Sequence, residues 1–488
     1  MTSSSPSQTP ATGSRLALST KLFYGFGSVA YGVKDNGFSY LLLIFYNQVV
    51  GLRAEVVGAA IMIALIFDAF LDPIVGQISD NWRSRWGRRH PFMYASALPV
   101  AVSYLLLWNP PHWSQGAIFV YLVVTAIIIR TFITFYEIPS SALSAELTQD
   151  YDQRTSLLSY RYFFAWWGGL TLNFLAYFLF LQPDATHKVG QLNPAGYARY
   201  GATAAVIIFV AILVSAAGTH SQIPKFRVPP IRRLKIAAMA REMIATWSNR
   251  SFLFLTIAGL CTSMATGLIA SLNVYFNTFF WELSARQISI FTLGVFLSAI
   301  LALIAAPVLS RRFGKRPSAM VVIVLAVCIG TTPIILRLMG LFPPNHSPIL
   351  LPILIAQTIV STGLSIIGST LTASMIADVV EDSELRTGRR SEGLLFSASS
   401  LVQKTVSGVG IFASGMLLLA IHFPRKAEPG HVPPEVIQHL ALVYLPTIFT
   451  LYGLALIFLM GYRITRASHQ ETLQRLAAEA EQLANPAA

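Results

Sequence analysis

Apolar residues run in long blocks along this chain, with polar residues confined to short intervals between them. Twelve such blocks reach bilayer-spanning length, at roughly 22–50, 56–79, 91–109, 116–147, 156–182, 199–221, 251–281, 287–309, 318–342, 348–378, 394–422 and 438–462. About 20 apolar residues in helical rise cross a hydrocarbon core, so each block predicts one membrane helix. An even number of crossings puts both termini on one side. Residues 1–20 are rich in Ser, Thr and Pro and lack an apolar run of signal-peptide length, which predicts a disordered tail. In 464–488, Leu473, Leu476, Ala480 and Leu483 recur at helical spacing, with Glu471 and Arg475 one turn apart, which predicts an amphipathic tail helix.

Composition agrees with the pattern: 54% of residues are hydrophobic and only 12% charged, outside the soluble globular range. A net charge of +13 raises the question of nucleic acid, and the positions of the charges answer it. Of 35 Lys and Arg, 24 fall in the loops and tails on the terminal side, seven on the opposite side and four within blocks. That asymmetry is a topology signal. It predicts cytoplasmic termini in a cell membrane and no nucleic-acid partner. The two cysteines, Cys261 and Cys328, sit in apolar blocks without metal-ligand spacing and are expected to pack as small core residues.

The chain also repeats itself. Ala145 to Thr155, after the fourth block, aligns with Ala377 to Thr387 after the tenth; Arg85-Trp86-Gly87-Arg88-Arg89 aligns with Arg312-Phe313-Gly314-Lys315-Arg316, at offsets of 232 and 227 residues. The expected organisation is therefore all-α, with twelve transmembrane helices in two six-helix halves, 21–222 and 251–463, joined by a basic linker at 223–250. Parallel repeats of this kind are a transporter architecture with its ligands bound near the midplane.

Two acids break the second block. Asp68 and Asp72 are four residues apart, on one helix face and about 6 Å apart along the axis. Charge near a bilayer centre is costly and usually marks an ion or proton path. The four block-internal acids Asp35, Asp68, Asp72 and Glu137 are matched by the four bases Lys34, Arg130, Arg161 and Lys404, so the interior is formally neutral. Paired carboxylates with a neighbouring hydroxyl suit a hard cation, and equally suit proton exchange. The plainer reading makes them structural anions held by Lys404 or Arg130.

From Asp68 to Phe92 the sequence resembles the second-helix signature of the glycoside-pentoside-hexuronide:cation symporters, the melibiose permease branch of the major facilitator superfamily. Tyr31 to Gly37, Glu137-Ile138-Pro139 with Asp150 to Thr155, and Arg386 to Gly393 leading to Lys404 agree with it. The resemblance implies a coupling-cation site for Na⁺, H⁺ or Li⁺ at Asp68 and Asp72, which would be metal ligands if the ion is Na⁺. It implies substrate contacts near Asp35, Glu137, Arg161 and Lys404. Ser141 and Ser369 stand where melibiose-type carriers have Trp, which weakens the inference to a galactoside. The same family includes lysophospholipid carriers, so an amphiphilic substrate is the alternative.

Lys404 is expected to hold the carboxylates until a cation releases it, Asp35 to accept hydrogen bonds from substrate, and Arg130 and Lys34 to act as structural partners. Asp80, Arg85 and Arg88, with Glu146 and Arg154, and their counterparts Asp378 and Arg386, are read as an inter-half latch, since a bare topology signal needs no acids. The Trp166-Trp167 pair reads as helix packing. No phosphate loop, nucleophile elbow or metal-ligand cluster occurs, so the chain is expected to be neither an enzyme nor a cofactor protein, and to be a monomer driven by an ion gradient. A non-transporting membrane sensor is the reading from another class, and the retained acids argue against it.

Overall fold

The computed structural model describes residues 16–148, 150–226, 250–387, 392–462, 471, 474 and 475. Among these, twelve long helical stretches follow one another. The first, α1, spans 18–50 in pieces: Leu18–Phe26, Val29–Asn36 and Leu42–Ile44, with wider π-type winding at Gly37–Leu41 and Phe45–Val50. Then come α2 (Ala54–Asn81), α3 (His90–Leu107), α4 (Gln115–Leu147), α5 (Tyr151–Leu175, continued by a π-type turn at Ala176–Phe180) and α6 (Pro194–His220). The second set is α7 (Arg250–Tyr275, with a π-type turn at Phe276–Phe280), α8 (Ala285–Phe313), α9 (Lys315–Leu338), α10 (Leu350–Thr387), α11 (Glu392–Ala420) and α12 (Pro434–Met460).

Ten of these helices are individually long and apolar enough to cross a bilayer; α1 is broken into pieces, and α11 contributes an apolar run at Lys404–Ala420. The observed ends fall close to the predicted blocks. The largest extension is α10, which runs past the predicted end at 378 to Thr387, because helix propensity continues through a polar segment that no longer needs lipid. Residues 1–15 of the predicted tail, 227–249 of the linker and most of the tail helix lie outside the described residues; Leu18 to Thr20, expected to be disordered, instead form the start of α1, and Arg475 Nη2 reaches Glu471 Oε1 at 2.5 Å, one helical turn away.

Outer faces carry large exposed apolar side chains, such as Leu98, Leu303 and Ile304, as expected where lipid replaces water. Helices pack mainly within their own set of six, and the sets meet chiefly where α2 lies along α11, then at α5 against α8 and α1 against α7. Small residues allow the α11 contact. A Cβ on Gly415 would lie 2.5 Å from the Ala54 carbonyl of α2, and one on Gly410 would lie 2.2 Å from the Met264 carbonyl of α7. Those close approaches fix α11 between the halves and so decide where Lys404 points.

At the end away from the termini the halves are sealed by a buried polar network. The Tyr275 hydroxyl donates to Asn47 Oδ1 at 2.8 Å, and Asn47 Nδ2 donates to the Leu52 carbonyl at 2.7 Å. Gln48 Nε2 donates to Asn47 Oδ1 at 2.6 Å and to the Pro424 carbonyl at 3.1 Å, while its Oε1 accepts from the Ala427 amide at 2.8 Å. A second strut runs from Gln191 Nε2 to the Leu283 carbonyl at 2.7 Å. Each such bond contributes on the order of 1 kcal/mol, and a buried group left unpaired costs more. Gln48→Ala therefore leaves the Ala427 amide without its acceptor and is expected to raise amide exchange of 44–52 and 421–427 by roughly ten- to a hundredfold. Exchange unchanged from the parent at those peptides would show that the network does not hold this end shut.

Candidate functional site

Four of the eight charged residues within the spans, Asp68, Asp72, Arg130 and Lys404, gather on three helices. On α2, Asp68 and Asp72 sit one turn apart, just before Pro73, which removes a backbone donor from the helix. On α4, Arg130 and Thr134 are likewise one turn apart and face them. On α11, Lys404 arrives from the other half.

Asp68 is 1% exposed. Its Oδ2 lies 3.1 Å from Arg130 Nη1 and 3.5 Å from Lys404 Nζ, and its Oδ1 is 2.9 Å from the Thr134 hydroxyl. Asp72 Oδ2 takes Lys404 Nζ at 2.7 Å, and its Oδ1 is 3.1 Å from the same Thr134 hydroxyl. The Arg130 guanidinium lies over the Phe38 ring, 4.8 Å from its centre, which adds a cation–π contact in a dry setting. Two carboxylates and two cations thus balance in charge, while Asp68 Oδ1, Asp72 Oδ1 and Thr134 Oγ1 converge. A hydroxyl carries one proton, so it cannot give a full hydrogen bond to both carboxylates at once. The convergence is a ready place for one more positive charge.

The Asp72–Lys404 pair joins the two halves.

Farther along α4, Glu137 and Ser141 continue the Arg130–Thr134 stripe. Arg161 on α5 is buried; its Nη1 donates to Ser140 Oγ at 3.2 Å and its Nη2 to the Glu137 backbone carbonyl at 3.3 Å, with the Tyr31 ring 5.1 Å away. Its bond is to the carbonyl of Glu137 and not to the carboxylate. Lys404 feels the fields of Glu137, Asp68 and Asp72 together. Asp35 pairs with buried Lys34 at 2.7 Å, yet its own side chain is 55% exposed. In the second half, Thr266 of α7 and Ser365 and Ser369 of α10 are exposed in mid-helix, and Asn273 is exposed near the end of α7. Trp167 packs on Phe296 of α8 with ring centres 4.6 Å apart.

Of the residues read as a latch, Asp80, Arg88, Glu146 and Asp378 make ion pairs within their own half. Arg88 Nη2 is 2.5 Å from Glu146 Oε1, Arg89 also pairs with Glu146, and Arg89 Nη2 is 2.9 Å from Asp80 Oδ1. In the second half Lys315 Nζ is 2.5 Å from Asp378 Oδ1, and the Tyr462 hydroxyl reaches Asp378 Oδ2 at 3.3 Å. Arg85 lies over Trp86, Arg154 is exposed, and the side chain of Arg386 lies outside the described residues. Thr134 is the member of the site that sequence reading missed. Its signal was positional: it falls one turn from Arg130 and three residues before Glu137, on the charged stripe of α4.

Two pseudo-equivalent six-helix sets with ion pairs buried at their interface define a membrane carrier of alternating-access type. The chain matches the family model described as MFS/sugar transport protein over residues 23–466, and it belongs to that family. It is therefore a transporter and not an enzyme. It is 28% identical to an uncharacterized symporter, sll1374, of Synechocystis sp., covering 95% of this chain and 97% of that one. It is 26% identical to the isoprimeverose transporter of Lactiplantibacillus pentosus, covering 92% and 89%. The inward-open structure of the xylose transporter XylE from E. coli superposes with a TM-score of 0.61 at 14% identity, covering 94% of this chain and 99% of that one, which confirms the fold.

Proposed function

We propose that this protein carries a sugar or glycoside across the membrane together with Na⁺ or H⁺, with Asp68 and Asp72 as the cation site. The observation that carries the reading is the Asp72–Lys404 pair, because it links cation occupancy to the contact between the halves. A cation that settles among Asp68 Oδ1, Asp72 Oδ1 and Thr134 Oγ1 takes over the charge that Lys404 balances, and Lys404 loosens. The free energy of the inter-half contact then depends on whether the ion is present, which is what coupling requires.

The solute site lies beside it. Asp35 and Glu137 offer acceptors, Arg161 offers donors, and Thr266, Asn273, Ser365 and Ser369 face it with neutral polar groups. Exposed polar groups in mid-span are costly against lipid, so they belong to a water-filled path between the halves. Ser141 and Ser369 leave this path without the aromatic walls that flat sugar faces favour. The isoprimeverose specificity of a relative supports a glycoside.

The positive charge on the terminal side supports cytoplasmic termini in the plasma membrane. With the far end sealed by Asn47, Gln48 and Tyr275, the conformation is then inward-facing. Asp80, Arg85, Arg88, Glu146, Arg154, Asp378 and Arg386 would meet across the halves only when this end closes. The protein acts as a monomer in this scheme and needs no cofactor beyond the coupling ion.

A thermal-shift screen of the purified transporter tests the reading, since a ligand specific to the native state stabilises it by mass action, about 2.7 kcal/mol at a hundredfold excess over Kd. Sugars, glycosides, uronates and lysolipids are compared with and without Na⁺, at two pH values. A glycoside shift that grows with Na⁺ or with acid is expected. A shift from lysolipids alone would replace the sugar reading with a carrier of amphiphiles.

A further inference from the structure

The two sequence-related turns at the terminal end, after α2 and after α8, divide their charges in the same way. In each, a glycine with positive φ, Gly87 at 73° and Gly314 at 84°, reverses the chain. Bases after the glycine are drawn inward onto an acid of α4 or α10: Arg88 and Arg89 onto Glu146, and Lys315 onto Asp378. The arginine two residues before the glycine turns outward instead. Arg85 lies over the Trp86 ring at 5.8 Å, and Arg312 over the Phe313 ring at 5.6 Å. Neither arginine has a carboxylate partner among the described residues. Trp86 is 44% exposed and Phe313 61% exposed, although both stand at the mouth of a helix turn.

We infer that these are two equivalent sites for the headgroups of anionic phospholipids, one on each half. The aromatic ring lies where the acyl chains begin, as aromatic residues do at membrane interfaces, and it keeps the guanidinium within cation–π reach beside the phosphate level. An arginine with free donors suits a phosphodiester, since its planar fork can make two parallel bonds to phosphate oxygens. A topology signal alone needs a positive charge on this side of the membrane. It does not need that charge over an exposed ring, in both repeats, while Arg88, Arg89 and Lys315 beside it are paired internally. The inference does not depend on the identity of the ion or the solute, and for Arg85 it concerns the conformation in which the latch is open.

Native mass spectrometry of the full chain, titrated with phosphatidylglycerol and phosphatidylcholine of matched acyl chains, tests it. The parent is expected to retain two phosphatidylglycerols in preference to phosphatidylcholine. Arg85→Gln and Arg312→Gln should each remove one, with a loss of about fivefold in preference per arginine. Arg199→Gln, at the other end of the bundle, should change nothing. Trp86→Leu with Phe313→Leu keeps both charges and should still weaken retention, which gives a second reading if a glutamine variant fails to fold. Equal uptake of the two lipids by the parent would overturn the inference. So would unchanged retention in the double glutamine variant, or displacement of the lipid by inorganic phosphate alone.

Discussion

Asp72→Asn is expected to bring the accumulation ratio of the solute down to about one under an imposed Na⁺ or H⁺ gradient, while down-gradient exchange persists, because a ligand that no longer discriminates the two states transmits no coupling. The amide keeps the shape of the carboxylate and can still meet the Thr134 hydroxyl. It cannot balance Lys404, which now lies 2.7 Å from Asp72 Oδ2 and 3.5 Å from Asp68 Oδ2. Lys404 is then left with Asp68 and the more distant Glu137 in every state, and the convergent oxygens have lost half their charge. The inter-half contact therefore stops responding to the ion. Proteoliposomes separate the two activities: uptake driven by a gradient across the vesicle, and counterflow with solute alone on both sides. Retained accumulation under either gradient would remove Asp72 from the coupling site. Loss of accumulation and counterflow together would make it a structural anion.

The helices and their pairing into halves were legible because a lipid-spanning helix must be apolar over its whole length, and because the basic turns repeat. The face shared by Asp68 and Asp72 was legible for the same kind of reason, since their spacing on a single helix sets it. The partners across from that face, Lys404 and Arg130, were named from charge balance and the family resemblance, and not from the helix spacing. Asp72 and Lys404 are 332 residues apart in sequence, and nothing in either segment states that α11 lies along α2. That placement is set by the glycines of α11, whose meaning depends on backbones they meet only in the folded molecule. Thr134 was missed because a threonine in a membrane helix usually bonds to its own backbone, as Thr125 does to the Tyr121 carbonyl at 2.7 Å. Arg161 shows the opposite failure. Counting it among four bases matched to four acids names no partner for it, and the fold brings its guanidinium to the Glu137 backbone carbonyl and to Ser140.

Arg130→Met should be the most destabilising single change at this site, by about 3–5 kcal/mol, since removing one partner of a buried pair strands the other charge. Asp68 is 1% exposed, and water cannot substitute for the guanidinium that now meets it at 3.1 Å. Lys404 offsets only part of the loss, since its short contact is to Asp72 and it stands 3.5 Å from Asp68 Oδ2. The methionine also forfeits the stacking of the cation on Phe38. Asp68→Asn placed in the same chain removes the stranded charge, so the double variant should recover most of the lost stability in a thermal melt in detergent, as coupled neighbours do. It should recover none of the gradient-driven uptake, because the cation site now lacks one of its carboxylates. The two readouts part company only if Asp68 serves both as counter-ion to Arg130 and as ligand to the transported ion. A double variant no more stable than Arg130→Met alone would show that the arginine contributes through packing on Phe38. One that both folds and accumulates solute would assign the whole of the coupling to Asp72.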